Sequence, residues 1–475
     1  MVSPRYNKAK GRDLQNRVAQ WISDLTGFEW GSAGSDKPIE ARGMGQKGTD
    51  VRLSKEVLKL FNYSVECFGK DTLVITKNGA IPIQSVMIGD KVLTHLGRFR
   101  KVTKIFKRSI NKSICLYGGS SSEFIITTPT HPFEGFYGEW VAAKDVKIFS
   151  HIIQSTTCKT EKTKFKLPEK IYHSQNKLPI NTPIDKEFMT FIGWYIAEGH
   201  CEKGSVNFTL SAEENDIAIM LSEVCKSKFN LNSSILSISN TSQVRIYSTL
   251  LSKFMCNIIG TGSRNKKLGE FMFYDKQLLS HLLRSYFLGD GCIGNDFARC
   301  ETVSRILAYE IQFSLLRYGI FSRVGIAKQG KITPLYSVQI SRATLPIFMA
   351  MMEMKEYRYE KAHINSDIHF IYAPDKQRLY TKVNSSYHTE KIDVYNLSVE
   401  EDETFVIEGG IITHNCKHAA SIDYASAINQ AKENQLEGTD WLLIVQRTSR
   451  RKDKRYGPIV IIDAERFFEL LRSKK

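Results

Sequence analysis

The sequence predicts a multidomain α+β protein in which a small α/β chain is split by a long, β-rich middle segment. The first observation is length, because 475 residues suggest about three domains. The second is composition, since 42% hydrophobic and 24% charged residues are typical of a chain that buries a sizeable core. The third is a change of pattern, because helix and strand signals at both ends enclose a middle of short strands and two helical segments.

The two ends of the chain carry the α/β signals. In residues 1–66, apolar side chains recur at helical spacing from Leu14 to Leu25, and a strand is predicted after Asp50. Residues 416–475 predict a helix over 419–431 and two strands at 441–445 and 459–462, joined by a basic turn. A last helix begins at Asp463, a favourable N-cap residue.

An excess of basic residues indicates a polyanionic partner. The chain has 66 Lys and Arg against 50 Asp and Glu, a formal charge of +16, which favours nucleic acid. A solvated basic surface is the alternative interpretation. Both parts share the excess, because residues 67–415 carry +9 and the flanking ends carry +7.

The sequence gives no sign of a membrane or of an oxidising compartment. The N-terminus is polar, and no run approaches 18 apolar residues. Nine cysteines without a CxxC pair argue against a disulfide framework and against a zinc site of usual spacing. We expect a cytoplasmic protein, or a phage-encoded one acting in the host cytoplasm, with no membrane partner.

The start of the middle segment carries residues suited to rearranging a peptide bond. The thiol of Cys67 can attack the carbonyl of Glu66 and convert the amide into a thioester. That step needs a proton on the leaving nitrogen, and a positioned histidine can supply it. His131, in Thr128-Pro-Thr-His131, is the candidate.

The end of the middle segment has the complementary groups, in Ile411-Ile-Thr-His-Asn-Cys416. The thiol of Cys416 can take over the acyl group. Asn415 can then cyclise through its side-chain amide onto its own carbonyl carbon and cleave the chain, with His414 polarising that carbonyl.

Four blocks in this order resemble the splicing blocks of inteins, the third being VYNLSVEEDETFV over 394–406. The resemblance covers 67–415 and implies an all-β hedgehog/intein (HINT) domain that splices autocatalytically without a cofactor. The implied splicing residues are Cys67, Thr128, His131, His414, Asn415 and Cys416. One departure bears on splicing efficiency, because Asn396 stands where the family usually has Asp and Glu403 where it often has His.

Two helical segments inside the middle share a pattern. Each ends in a carboxylate followed by glycine, at Glu198-Gly199 and at Asp290-Gly291, and the glycine suggests a C-cap. Small residues stand five and one positions before each acid: Gly193 and Ala197, then Ser285 and Gly289. Such a ridge lets two helices approach closely, which would bring both acids to one end. Paired carboxylates there can hold Mg²⁺ against a phosphate.

These segments resemble the two motifs of LAGLIDADG (dodecapeptide, DOD-type) homing endonucleases, over about 165–360. The resemblance implies an α/β endonuclease domain that cleaves a double-stranded DNA homing site. It assigns catalysis to Glu198, Asp290 and Lys266, with the two acids binding Mg²⁺. Loss of activity on an intact fold is the alternative.

Joining the flanking ends would create a strand that alternates cleanly, Phe61-Asn-Tyr-Ser-Val-Glu66 followed by Cys416-Lys417. Glu66 and Lys417 then share a face, and Asp50 follows from the preceding strand. Two acids can ligate Mg²⁺ while a lysine orients or deprotonates water. Surface charge on a hairpin is the bland alternative.

This arrangement resembles the PD-(D/E)xK nucleases, with Asp50, Glu66 and Lys417 as catalytic residues and Asp50 and Glu66 as metal ligands. Its size and opening sequence are similar to archaeal-type and phage Holliday junction resolvases. The resemblance implies a host hydrolase that acts on branched DNA junctions with Mg²⁺, as a homodimer. It does not separate junction resolution from simpler DNA cleavage.

The resulting prediction is a precursor with five segments: a host N-terminal half (1–66), a splicing domain in two parts (67–164 and 361–415), a homing endonuclease (165–360) and a host C-terminal half (416–475). Excision of 67–415 would restore the split PD-(D/E)xK nuclease. The alternative is a non-splicing or degenerate fusion that acts mainly as a DNA-binding protein.

Overall fold

The chain divides into two compact units, one formed by Met1–Ser64 with Lys417–Lys475 and the other by Val65–Cys416. The computed structural model describes residues 19–20, 23, 29–32, 36–37, 39–41, 51–53, 66–153, 163–166, 178–179, 181–202, 204–329, 334–354, 370–373, 377–415, 443–448 and 455–461. Within these ranges no helix is long and apolar enough to cross a membrane.

The first unit contains the strands predicted at the chain ends. Ile39–Ala41 pairs in parallel with Trp30–Ser32 and antiparallel with Val51–Leu53, so a strand follows Asp50 as predicted. Leu443–Thr448 and Arg455–Ile461 form an antiparallel pair. This confirms the two strands predicted near 441–445 and 459–462. The predicted helices over 419–431 and from Asp463 lie outside the described residues.

The second unit begins and ends in β-structure. Short antiparallel strands from both ends of this unit close into a barrel around one apolar cluster. These strands are Phe68–Gly69, Leu73–Thr76, Gly79–Pro82, Lys91–Leu93, Phe99–Ile110, Ser113–Gly118, Ser121–Thr127, Pro132–Glu134, Trp140–Ala142, Ile148–Ile152, Phe370–Tyr372, Arg378–Lys382, Asn384–His388, Ile392–Val399, Thr404–Ile407 and Ile411–His414.

An α/β part lies between the two runs of barrel strands, after a hairpin of Lys164–Lys166 and Asn181–Pro183. It is built twice from the order helix, two strands, helix, two strands, helix. The helices are α1 (Lys186–Glu198), α2 (Asn215–Phe229), α3 (Thr249–Ile258), α4 (Lys276–Asp290), α5 (Arg305–Leu316) and α6 (Leu345–Met351). The chain is therefore a mixed α+β protein.

Each repeat contributes a sheet with the same strand order. The first sheet runs Gly199–Glu202, Ser205–Ser211, Thr241–Tyr247, Ser234–Ile238. The second runs Gly291–Ile293, Ala298–Thr302, Pro334–Ile340, Ser322–Gln329. The sequence shows a repeat only in two helices. The duplicated strand order shows that the repeat includes the whole α/β part.

Helices α1 and α4 pack through the small residues that the sequence singles out. A Cβ atom on Gly193 would lie 2.3 Å from the Leu282 carbonyl oxygen and 2.7 Å from Ser285 Cβ. A Cβ atom on Gly289 would lie 2.6 Å from Ala197 Cβ. The helices thus run side by side in the same direction, and their last residues come to the same end.

Helix α5 joins the α/β part to the barrel. The buried carboxylate of Glu310 accepts backbone N–H bonds from Ala80 (2.8 Å), Gly269 (3.0 Å) and Leu268. Arg305 pairs with Glu123 and with Glu408, at 2.9 Å each. Polar groups this deep persist only when fully partnered, so the two parts form one packed body.

Gly193→Ala should destabilise the protein by about 1–3 kcal/mol, because the added methyl group meets backbone rather than a movable side chain. Gly325→Ala is the matched control, since its Cβ would meet no atom nearer than 3.8 Å. Chemical denaturation of both variants measures the difference, and equal stabilities would contradict the close helix packing.

Candidate functional site

Cys67 lies where three barrel strands meet. It is fully buried and precedes Phe68, whose strand pairs with Tyr395 on one side and Thr127 on the other. The Cys67 amide donates to the Thr128 hydroxyl at 3.0 Å. Its carbonyl accepts from the Thr128 amide (2.9 Å) and the Thr127 hydroxyl (2.8 Å). The backbone on both sides of this residue is therefore held by Thr127 and Thr128.

The Glu66 carbonyl, which precedes Cys67, is held by Asn396. The Asn396 side-chain amide donates to the Glu66 oxygen. Asn396 is fully buried and lies on Ile392–Val399, the strand that carries Val394 opposite Gly69 and Tyr395 opposite Phe68. Continuing that antiparallel register brings Asn396 opposite Cys67.

His131 is buried beside the same peptide. Its Nε2 is hydrogen-bonded to the Thr413 hydroxyl, and its ring lies 4.2 Å from that of Phe68, measured between centroids. Burial, and to a smaller extent nearby His414, lower the pKa of His131 to about 3. A hydrogen bond with the Glu66 backbone opposes both effects. The imidazole is consequently neutral near pH 7.

The other junction residues meet this group from the strand Ile411–His414. His414 Nδ1 lies 2.8 Å from the Asn415 carbonyl oxygen, and its ring stacks edge-on against Trp140 at 5.0 Å. Asn415 is buried, its backbone amide donates to the Glu403 carbonyl at 2.8 Å, and its side-chain amide donates to the Val399 carbonyl at 3.3 Å. Asn415 Oδ1 has no hydrogen-bond partner among the described residues.

The structure thus gathers five residues from distant parts of the chain: Cys67, Thr128, His131, His414 and Asn415. Cys416 lies outside the described residues. Thr413 was not predicted, although it links His131 to the strand that ends at Asn415. Nothing in the sequence distinguishes Thr413, because threonine is common in β-strands.

A second site lies where α1 and α4 end. Burial, and to a smaller extent the carboxylate of Asp290, raise the pKa of Glu198 to about 7. Burial also raises the pKa of Asp290 to about 6, while Lys266 opposes that rise. The two carboxylates are therefore close enough to repel each other, as the helix packing requires.

Lys266 lies beside the two acids. Its ammonium donates to the Ile196 carbonyl at 2.7 Å and to the Ala197 carbonyl at 3.3 Å. These are orphan carbonyls at the end of α1. Burial lowers the pKa of Lys266, while Asp290 and Glu198 raise it. The lysine predicted from the sequence therefore completes a two-acid, one-lysine cluster.

Gly199 and Gly291 are the C-cap residues of α1 and α4, as the sequence predicts, and their backbone is extended rather than left-handed. Gly199 has φ −88° and ψ 151°, and Gly291 has φ −90° and ψ 153°, because a strand begins at each of them. A Cβ atom would lie 2.4 Å from the Tyr195 ring at Gly199 and 2.2 Å from the Phe287 carbonyl oxygen at Gly291. Glycine is needed here for close approach to the helix, not for its φ.

The acid pair suits a hard cation. Within the described residues no group of three or more His, Cys, Asp or Glu side chains could hold a metal ion. Two facing carboxylates nevertheless match the oxygen ligands of Mg²⁺, which commonly completes its shell with water and phosphate. Burial raises the pKa of both carboxyl groups, and a divalent ion bound between them would favour their ionised forms.

The residues predicted for the third site are mostly not described. Asp50 and Lys417 lie outside the described residues, and Glu66 is described only beside Cys67. Their assignment as nuclease residues stays a prediction from the sequence.

Residues 278–350 match the family described as a LAGLIDADG-like domain. An uncharacterized protein of Methanocaldococcus jannaschii is 25% identical over 413 residues, covering 74% of this chain and 50% of the relative. The ATP-dependent DNA helicase Hel308 of Thermococcus kodakarensis is 25% identical over 414 residues, covering 74% and 36%. An iron-sulfur cluster assembly SufBD family protein of Mycobacterium bovis is 24% identical over 407 residues, covering 80% and 46%. The chain spans half or less of these relatives.

Solved structures are similar to about a third of the chain. The crystal structure of I-DmoI in complex with DNA and Mn is 12% identical, covering 36% of this chain and 97% of that chain, with a TM-score of 0.30. The N-terminal LAGLIDADG domain of DUF199/WhiA is 16% identical, covering 37% and 89%, with a TM-score of 0.27.

Replacing both acids, as Glu198→Gln with Asp290→Asn, should stabilise the metal-free protein at pH 8. Carboxyl groups whose pKa values are raised to about 7 and about 6 hold extra protons in the folded state, so stability falls as pH rises from about 4 to about 7. We expect Tm to rise by about 1–3 °C at pH 8 and not at pH 4.

Thermal unfolding in chelator at both pH values measures this effect, with the exposed Glu223→Gln of α2 as the control. An unchanged Tm at pH 8, or an equal rise at pH 4, would contradict mutual repulsion between the two acids.

Proposed function

We propose that this chain is a precursor whose segment 67–415 excises itself and joins Glu66 to Cys416. One observation carries the proposal: Cys67 and His131 lie in the same barrel as the strand that leads to His414 and Asn415, linked to it by the hydrogen bond between His131 and Thr413. His131 contacts the backbone of Glu66 on one side and Thr413, two residues before Asn415, on the other. The fragment that remains would be the host protein.

The first step is attack of the Cys67 thiol on the Glu66 carbonyl carbon. A C–S bond forms, the Glu66–Cys67 C–N bond breaks, and the nitrogen takes a proton. The neutral imidazole of His131 can accept the thiol proton and return it to the nitrogen, so the step needs no outside acid. The amide hydrogen bond to Thr128 holds the leaving nitrogen in place.

The later steps release the segment. Cys416 exchanges its thiolate with the thioester, which restores the Cys67 thiol. The Asn415 amide nitrogen then attacks its own backbone carbonyl carbon, and the Cys416 nitrogen leaves with a proton. The contact between His414 Nδ1 and that carbonyl oxygen supports polarisation by a protonated imidazole. An S-to-N shift finally forms the Glu66–Cys416 peptide bond.

We further propose that the α/β part is a homing endonuclease that cuts double-stranded DNA. The LAGLIDADG-like match and the cluster of Glu198, Asp290 and Lys266 support it. Mg²⁺ held by the two acids would act as a Lewis acid on the scissile phosphate. Basic side chains on the strand faces turned away from the core, including Arg245, Arg299 and Arg323, suit contacts to a DNA backbone.

The relatives support a mobile inserted element. Two of them, a DNA helicase and an iron-sulfur cluster assembly protein, have no activity in common by name. The similarity to these relatives covers 74% and 80% of this chain. Segment 67–415 makes up a comparable share, 349 of 475 residues. The compact unit Val65–Cys416 nearly coincides with that segment, as expected for a self-contained insertion.

The spliced host would be a PD-(D/E)xK nuclease of 126 residues, similar to Holliday junction resolvases and acting on branched DNA as a homodimer. This part rests on the sequence pattern of Asp50, Glu66 and Lys417. The predicted strands around Val51 and in the second hairpin are consistent with it.

Expression of the full chain should yield two products. Scaling 54.2 kDa by length gives about 40 kDa for the excised segment and about 14 kDa for the joined host. Intact-mass measurement identifies both, and fragmentation of the small one should locate a Glu66–Cys416 peptide bond.

Asn415→Ala should stop release of the downstream half, and Cys67→Ala should stop cleavage after Glu66. Exposed Asn384→Ala is the matched control and should splice normally. A single 54 kDa species from the unaltered chain, folded and in reducing buffer, would contradict self-excision.

The locked precursor, with Cys67→Ala and Asn415→Ala together, should lack host nuclease activity. The insertion separates Glu66 from Lys417, and the host site needs them on one strand. Cleavage of a branched junction substrate is compared between this precursor and the spliced product. Host-type cleavage by the precursor, retained when Glu198→Gln silences the inserted nuclease, would refute the dependence on splicing.

A further inference from the structure

The side chain of Asn396 is fixed in one orientation at the first junction. Its Oδ1 accepts from the Leu397 amide at 2.6 Å, and its Nδ2 donates to the Glu66 carbonyl oxygen. Rotating the amide by half a turn would put an NH₂ group against the Leu397 N–H and an oxygen against the Glu66 oxygen. The network therefore assigns the donor to the Glu66 carbonyl.

Resting on the proposed splicing, we propose that Asn396 is a catalytic residue that stabilises the oxyanion formed on Glu66 when Cys67 attacks. As the C–S bond forms, the carbonyl π pair moves onto oxygen, and the Nδ2–H bond strengthens with that charge. Collapse of the adduct restores the carbonyl and expels the Cys67 nitrogen, which takes the proton. A donor already in place needs no reorganisation during the step.

An amide performs this role in a way that an aspartate cannot. Inteins usually have aspartate at the position that Asn396 matches. An ionised carboxylate only accepts hydrogen bonds, and its charge would oppose an oxyanion at the same distance. Asn396 stays neutral and donates at every pH. The departure from the family pattern is then an altered catalytic group and not a loss.

The role is confined to the first junction. The Asn415 amide is held by the Val399 carbonyl and its backbone by Glu403, and His414 contacts the second scissile carbonyl. The side chain of Asn396 bonds to the Glu66 carbonyl and the Leu397 amide, neither of which belongs to the second junction. Variants of Asn396 should consequently slow the first junction and leave the second unchanged.

The test uses the full chain with Asn415→Ala, in which cleavage between residues 66 and 67 by dithiothreitol reports thioester formation. Adding Asn396→Asp keeps the shape and the bond from Leu397 but removes the donor. We expect cleavage at pH 8 to slow by about 10²–10³-fold, with Asn396→Ala similar. The wild-type-to-variant ratio should shrink as pH falls and the new carboxyl protonates. Exposed Asn384→Asp is the matched control and should have no effect.

A second readout separates catalysis from folding. In the Cys67→Ala chain, Asn396→Asp should leave the rate of Asn415 cyclisation, followed by mass, within about twofold. Normal thiol cleavage by the Asn396→Asp variant at pH 8, or equal slowing of both junctions, would overturn the role of Asn396. Absence of thiol cleavage in the parent that retains Asn396 would instead refute the proposed splicing.

Discussion

The packing of the second unit depends on a buried carboxylate that is held by three backbone N–H groups. Glu310, in the middle of α5, accepts N–H bonds from Ala80 of the barrel and from Leu268 and Gly269 of the α/β part. Burial raises its pKa to about 6 while the three N–H groups oppose the rise. Removing the acceptor would leave three buried donors, each costing about 1–3 kcal/mol. The carboxylate also requires glycine at position 79, because a Cβ atom there would lie 2.5 Å from its oxygen.

The same helix reaches the strand that ends at His414 through Arg305. This guanidinium pairs with Glu408, whose second oxygen accepts from the Leu73 amide at 2.7 Å. Glu408 immediately precedes Gly409 and Gly410, which turn the chain with φ of 72° and 76° into that strand. The α/β insertion therefore helps to position one wall of the barrel site.

Much of both sites follows from local sequence, and the remainder depends on registers between distant strands. The ridge of Gly193 with Ser285 could be predicted because helical spacing fixes which residues share a face. Glu310 could not, since an acid in mid-helix is usually exposed and burial is a tertiary property. Asn396 was visible only as a departure from pattern; its donor role needs the pairing of Tyr395 with Phe68 across more than 300 residues. Gly199 and Gly291 could be predicted as C-caps, but their close approach to the helix exists only in three dimensions.

The hydrogen bond between His131 and Thr413 also bears on the entropy of closing the long loop between the two junctions. Bringing residues 66 and 415 together across a flexible excursion of 349 residues would cost about 5 kcal/mol of closure entropy. In the folded barrel that cost is already offset, because Glu66 and Asn415 are both held by its strands. Under the proposed splicing, ligation would be a local exchange of bonds whose rate does not depend on protein concentration. A host protein could receive such a segment at a strand and still recover its own fold afterwards.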